Sequence, residues 1–359
     1  MRDRIVTRRK TLQAATALFG AAVLGCGGRS REKPEETDEP SEVLPMAGGP
    51  APTLGWEVIA TGTAGPGVRS RHGLVYDRSA TAAVLFGGII WDDQESLRAD
   101  TWELRDRKWT RIRAPETPPA RHRGAMVYLD SRELSLLFGG QGDTGDLLGD
   151  TWVYAARRWR RVQSGGKAPS PRAGHCMAFD EQAGVAVLFG GINPNDSPLG
   201  DTWLFDGTSW KKVNGTDPPA RRYAAFAYDP ELKGCLLHGG AEDDHGRRTF
   251  GDAWLFRNNI WKRLEKSLDT DPRDDHGLGY HRGAKRMVML EGVAGVRGLL
   301  VREATTWRTL EVNPLHPRHQ CSPLTWDDGL GGLLLHGGES HHGGPQFDAT
   351  LLLRMPAAS

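Results

Sequence analysis

The chain has almost no charge of one sign to spare: 46 Lys and Arg against 45 Asp and Glu leave a net of +1 over 359 residues. Nucleic-acid binders need a clustered basic surplus, so composition argues against that class. Hydrophobic residues make up only 38% and charged ones 25%, which excludes a multi-pass membrane protein. Cysteine is scarce, at four residues. What the chain does have is glycine (46), proline (22) and tryptophan, whose 12 copies outnumber the 10 phenylalanines. Many turns and regularly placed indoles point to an all-β repeat protein.

Residues 1–25 read as an export signal and are set apart from the fold. Arg2, Arg4, Arg8, Arg9 and Lys10 precede an apolar run from Ala14 to Leu24 that is short for a bilayer span. Val23-Leu24-Gly25-Cys26 resembles a bacterial lipobox. Thr7-Arg8-Arg9-Lys10-Thr11-Leu12 resembles a twin-arginine export signal, with Thr11 where that pattern prefers Phe. The resemblance implies acylation at Cys26, which would anchor the exported chain to the bacterial cell envelope, facing the periplasm or at the cell surface, without a spanning helix. Residues 26–53 are rich in Gly, Pro and acids (Glu32, Glu35, Glu36, Asp38, Glu39) and read as a disordered tether.

The remainder repeats with a period of about fifty residues. Paired glycines close an apolar strand at Gly87-Gly88, Gly139-Gly140, Gly190-Gly191, Gly239-Gly240 and Gly337-Gly338. Eighteen residues before the first four pairs stand Arg69, Arg121, Arg172 and Arg221. Arg273 keeps that distance to Glu291-Gly292, a decayed fifth copy, and Arg318 stands nineteen before the last pair. Asp-Thr-Trp or a variant follows at Asp100, Asp150, Asp201 and Asp252, and a second tryptophan comes seven residues after the first: Trp109, Trp159, Trp210, Trp261. Trp307 belongs to the fifth copy, where Gly298 replaces the aspartate.

This order of diglycine, Asp-Thr-Trp and trailing tryptophan, over residues 54–355, resembles the kelch repeat, including the central propeller of galactose-oxidase-like proteins. The resemblance implies a six-bladed β-propeller of four-stranded kelch-type blades. Each copy carries four short β runs, such as Arg172–Phe179, Val185–Phe189, Thr202–Phe205 and Trp210–Val213. Gly55-Trp56-Glu57-Val58-Ile59 is an orphan strand before the first arginine, and the sixth copy ends after Asp348-Ala349-Thr350-Leu351-Leu352 without its own fourth strand. The N-terminal strand is therefore expected to close the ring, hiding two edges. Most tryptophans are expected between the blades. Cys176, Cys235 and Cys321 fall in predicted strands, with the first and last on opposite blades, so free buried thiols are expected.

The connections between second and third strands are the long ones, and they leave from the diglycine end, where the arginines also lie. Function on rigid scaffolds gathers in such loops. Two readings of Arg69, Arg121, Arg172, Arg221, Arg273 and Arg318 stand side by side. They form a mouth for carboxylates or acidic peptides, as mouth arginines do in other kelch propellers, or each pairs with the aspartate of its own repeat. Arg273, with Gly298 in place of that aspartate, is the leading ligand candidate, with Arg318 beside it. His72, His175 and His276, three residues after a repeat arginine, are expected to form hydrogen bonds within the repeat frame. His319, His341 and His342 cluster with His336 in the last blade as further ligand candidates; their spacing matches no metal motif, so no metal and no cofactor are expected. The loop acids at 92–93 and 242–244 read as solvated.

The expected function is a tethered, non-catalytic binding or scaffolding module for an envelope protein or glycan, with anionic groups suiting the arginines, acting as a monomer and meeting the membrane only through its lipid. An enzymatic alternative resembles a periplasmic sialic-acid epimerase, also a six-bladed kelch protein. It needs an acid/base pair near the mouth, for which Glu303 and the loop acids are the available groups. Copper chemistry of the galactose oxidase kind finds no suitable Tyr–Cys arrangement.

Overall fold

The computed structural model describes residues 54–62, 65–92, 95–163, 167–215, 218–243, 248–290, 298–312, 321–340 and 344–358. The expected signal peptide, acylated Cys26 and tether lie outside the described residues.

Six four-stranded antiparallel sheets form a β-propeller. Blade 1 comprises Gly73–Asp77, Ala82–Phe86, Thr101–Arg105 and Lys108–Ile112; blade 2 comprises Ala125–Leu129, Leu134–Gln141, Leu147–Ala155 and Arg158–Val162. Blade 3 comprises Cys176–Asp180, Val185–Phe189, Thr202–Phe205 and Trp210–Val213; blade 4 comprises Ala225–Asp229, Gly234–His238, Ala253–Arg257 and Ile260–Arg263. Blade 5 comprises Leu278–His281, Arg286–Leu290, Gly298–Glu303 and Thr306–Glu311. Blade 6 has Thr325–Asp327, Gly332–His336 and Thr350–Arg354, and takes Gly55–Ala60 as its outermost strand, with Gly55 opposite Arg354 and Val58 opposite Leu351. The orphan strand thus closes the ring as its position in the sequence suggests.

The turns explain why each copy folds into the same hairpins. At the end of the first strand an aspartate side chain accepts from backbone N–H groups two or three residues on: Asp180 from Gln182 and Ala183, Asp229 from Glu231 and Leu232, Asp327 from Leu330. Two-residue turns join third to fourth strands, with positive φ at both residues: Asp106-Arg107 (49°, 65°), Ala156-Arg157 (48°, 62°) and Asn258-Asn259 (54°, 62°). The outer strands bear exposed Lys108, Arg111, Arg158, Arg160, Arg161, Lys211 and Lys212, which blunt edges that would otherwise pair with another chain.

Tryptophans stitch neighbouring blades together. Indole N–H groups of Trp159, Trp210 and Trp261 donate to the hydroxyls of Thr101, Thr151 and Thr202 in the preceding blade, at 2.8–2.9 Å. Trp109 reaches Thr350 of blade 6 in the same way. In blade 4 Ala253 stands where the threonine would be, and Trp307 donates to the Leu268 carbonyl instead. Phe86, Phe138 and Phe189 meet these indoles edge-on at 5.0–5.2 Å, so most tryptophans are core, as expected.

A second seam runs around the channel mouth. Arg71, Arg123, Gly174, Tyr223, Asp275 and Cys321 each stand just before the first strand of their blade, all with φ between 49° and 63°. Each N–H donates to the carbonyl of its counterpart in the preceding blade, Cys321 being the donor to Asp275 and Arg71 the donor to Cys321, at 2.8–3.0 Å throughout. The six bonds form a closed belt. It explains the one strand that begins later than expected: residues 172–175 of blade 3 serve the belt, and the strand begins at Cys176.

Replacing Ala156 by Asn relieves an alanine held at φ 48° in a tight turn and is expected to stabilise the fold by about 0.5–1 kcal/mol. A calorimetric melt no higher than that of the parent chain would refute this.

Candidate functional site

The repeat arginines turn away from the mouth and into the blades. Arg121 grips both oxygens of Asp150 (2.6 and 2.9 Å), Arg172 both of Asp201 (2.7 and 3.0 Å), Arg221 both of Asp252 (2.5 and 3.1 Å) and Arg69 both of Asp100 (2.8 and 3.2 Å). Each also donates to the carbonyl of the first glycine in its own pair, at Gly87, Gly139, Gly190 and Gly239. The first indole of each Asp-Thr-Trp donates to that same aspartate at 2.7 Å. All four arginines are buried. Of the two readings offered by the sequence, the internal pair is the arrangement present for these four. Burial opposes ionisation of Asp150, yet hydrogen bonds from Arg121 outweigh it and hold the carboxyl below its ordinary value; Asp100, Asp201 and Asp252 behave alike.

The diglycines complete this lock between blades. The N–H of the second glycine donates to the carbonyl of the next copy's arginine, from Gly88 to Arg121 and onward to Gly338 with Arg69. A Cβ on Gly190 would sit 2.4 Å from the Arg221 carbonyl oxygen, so only glycine permits the approach. Arg273 is half-buried, and its Nε donates to the Asp271 carbonyl. Arg318, His319, His341 and His342 lie outside the described residues.

The mouth itself is a cavity of about 140 Å³ lined by the belt residues. Its side chains vary around the ring, with arginine in blades 1 and 2 and a different residue in each of the others, and the two sides of the cavity differ in chemistry. On one side Glu339, fully buried, accepts from Arg71 (2.8 Å), from the Trp91 indole (2.6 Å) and from the Cys321 thiol (2.9 Å). Asp275 lies 3.2 Å from the same thiol. Burial, and then the charge of Asp275, push the Cys321 thiol up, so it stays protonated and is no ready nucleophile. On the other side Tyr223 covers Gly174, where a Cβ would meet its ring at 2.5 Å. The Arg123 guanidinium sits 5.4 Å from the centre of that ring. Arg123 has no carboxylate partner among the described residues, and its Nε is buried without a hydrogen bond.

The histidines depart from the expected hydrogen-bonding frame. His72, His175 and His276 pack edge-on against the ring that precedes the diglycine of the previous blade: His336, Phe138 and His238 respectively. Only His276 of the three shows a side-chain bond to its neighbour, His238, at 3.2 Å; both ring nitrogens of His72 are buried without a partner. Cys321 lies in the belt, not in a strand, and Cys176 is half-buried. Glu303 ends the third strand of blade 5, opposite the mouth, where it pairs with Arg308. No metal-holding group of His, Cys, Asp and Glu occurs among the described residues. The recurring arginine dominates the sequence signal, whereas the position two residues later, or three in the last copy, is marked only by its variability from copy to copy.

No family model matches the chain. Over 145 residues it is 32% identical to the F-box/kelch-repeat protein At1g51550 of Arabidopsis thaliana, a stretch covering 36% of this chain and 29% of that protein. The chain thus spans under a third of that relative's length. The solved structure of YjhT superposes with a TM-score of 0.61 at 15% identity, covering 80% of this chain and 96% of the other. That likeness concerns the fold.

The buried imidazoles set an acid limit on stability. Burial holds His122, His175 and His238 down to about 3, and His72 and His276 well below their ordinary 6.5. The unfolded chain takes up these protons first, so stability falls as pH drops from about 6.5 toward 3. The lock aspartates, depressed from 3.8, add their loss only as pH falls through that value and below. Thermal melts should therefore decline steadily below neutrality and before the carboxylates titrate. A plateau down to about pH 4 would contradict this.

Proposed function

We propose that this chain is a kelch-type propeller that binds, without catalysis, an anionic group on a protein or glycan of the bacterial envelope. The carrying observation is Arg123: a guanidinium stacked on Tyr223 in the mouth cavity, with no carboxylate partner among the described residues. A planar fork so placed prefers carboxylate or phosphate. Arg71 is spoken for by Glu339, and the four lock arginines by their aspartates. Arg273, half-buried beside the mouth, remains a secondary contact, with Arg318, His319, His341 and His342 as candidates on the last two copies. The epimerase-like alternative gains nothing from Glu303, which faces the opposite end. Export and acylation at Cys26 complete the reading, since a tether then holds the mouth within the envelope.

Fluorescence anisotropy with a polyglutamate peptide and with a uronic-acid oligosaccharide tests the mouth. Arg123→Ala should weaken whichever binds by about tenfold, with the parent's affinity falling as salt rises. Unchanged affinity in the variant, or no binding of either probe, would sink the reading. For the anchor, cells fed a labelled fatty acid should incorporate it into the parent chain but not into Cys26→Ser, which should leave the membrane fraction. Equal labelling of both would dismiss the lipid.

A further inference from the structure

The channel holds a second chamber at the end away from the loops. Its volume is about 210 Å³, larger than the mouth cavity, and the two share no lining residue. Its wall is built by the repeat. Seven residues after Arg69, Arg121, Arg172 and Arg221 come Tyr76, Tyr128, Phe179 and Tyr228, and the same strand position in blade 6 is Trp326. These five rings, one from each of five blades, line the chamber. No pair among them is in ring contact, though Trp326 meets His281 edge-on at 4.8 Å. Four of the five are half-buried on innermost strands, each packed on a blade core while also lining the chamber.

The second component of the wall is backbone. Each innermost strand is bonded to a neighbour on one side only, so its other edge turns unpaired N–H and C=O groups to the channel axis. Such groups need partners when enclosed. One of them shows what serves: the N–H of Tyr76 donates to the hydroxyl of Thr325 at 3.2 Å. The rim carries charge that is already matched. Arg78 bridges Asp130 (3.0 Å) and Asp328 (2.9 Å), and Arg282 reaches across to Glu181 at 2.8 Å.

These features select among ligand classes. A purely apolar ligand would strand the backbone edges. An ion would have to break rim pairs that are already satisfied. A ring with apolar C–H faces and a girdle of hydroxyls meets both halves of the wall, and a chamber of about 210 Å³ has room for one such ring. The geometry points to a second binding site in this far chamber, for a single neutral pyranose unit, free or at the end of a glycan. Burial and then Glu181 push the Tyr228 phenol up to about 12, so it meets a sugar as a neutral hydroxyl able to donate.

Saturation-transfer NMR on the full chain, with methyl glucopyranoside, galactopyranoside and mannopyranoside as probes, tests this. At least one should receive saturation in the tens-of-millimolar range or tighter. Phe179→Ala should weaken it by about tenfold, and Tyr228→Phe, which keeps the ring and the fold, by a few-fold. Arg123→Ala should leave it unchanged, which separates this site from the mouth. Longer oligosaccharides of the same sugar that bind no better than the monosaccharide would support a chamber for one unit, whether free or terminal. No transfer to any of the three, transfer equal in Tyr228→Phe and parent, or transfer lost only in Arg123→Ala would each overturn the proposal.

Discussion

Everything in this molecule hangs on a belt of six backbone hydrogen bonds around one end of the channel. Each bond joins the start of one blade to the start of the one before, and Arg71 donating to Cys321 closes the circle. Five of the six belt residues are not glycine, yet all six have φ between 49° and 63°. A left-handed residue with a side chain costs about 1 kcal/mol or more, so the belt concentrates strain. That strain persists because the surroundings determine it: the diglycines on one side and the buried innermost strands on the other leave no alternative path for the chain.

The belt also separates what the repeat holds constant from what it varies. The arginine at the start of each of the first four copies, its aspartate, its two glycines and two tryptophans make one lock, present in nearly the same geometry four times. A buried ion pair is a poor source of net stability, but losing one partner strands the other, on the order of 3–5 kcal/mol. The lock therefore fixes the angle between blades more than it adds to their cohesion. Two residues further on, or three in the last copy, the same backbone frame presents Arg, Arg, Gly, Tyr, Asp and Cys to one small cavity. Identical scaffolding with dissimilar side chains is how a six-fold ring makes an asymmetric site.

This division explains how much the sequence disclosed. Strands such as Val185–Phe189, Thr202–Phe205 and Trp210–Val213 were legible to the residue, because short apolar runs between Asp and Gly turns admit one reading. Closure by Gly55–Ala60 was legible from counting strands. The site was not. Arg121 and Arg172 draw attention because they recur, and recurrence here marks the lock. Arg123, Tyr223, Asp275 and Cys321 share a position but no chemistry, so no motif search brings them together. Nor does sequence spacing reveal that Glu339, eighteen residues after Cys321, folds back under it.

Glu339 shows why the mouth and the closure of the ring are one problem. The last blade borrows its outer strand from the far end of the chain, and at the mouth the join needs its own fastening. Glu339 of blade 6 takes Arg71, Ser70 and Trp91 from blade 1, while Gln346 donates to Ser70 and the Ile89 carbonyl and accepts from the Trp91 N–H. A carboxylate so enclosed is tolerable only with its donors in place. It therefore neutralises one mouth arginine as a consequence of shutting the ring, and the cationic character left to the cavity falls to Arg123. The single place where a circular fold must be joined from a linear chain thus adds to the asymmetry that the dissimilar belt residues already give the site.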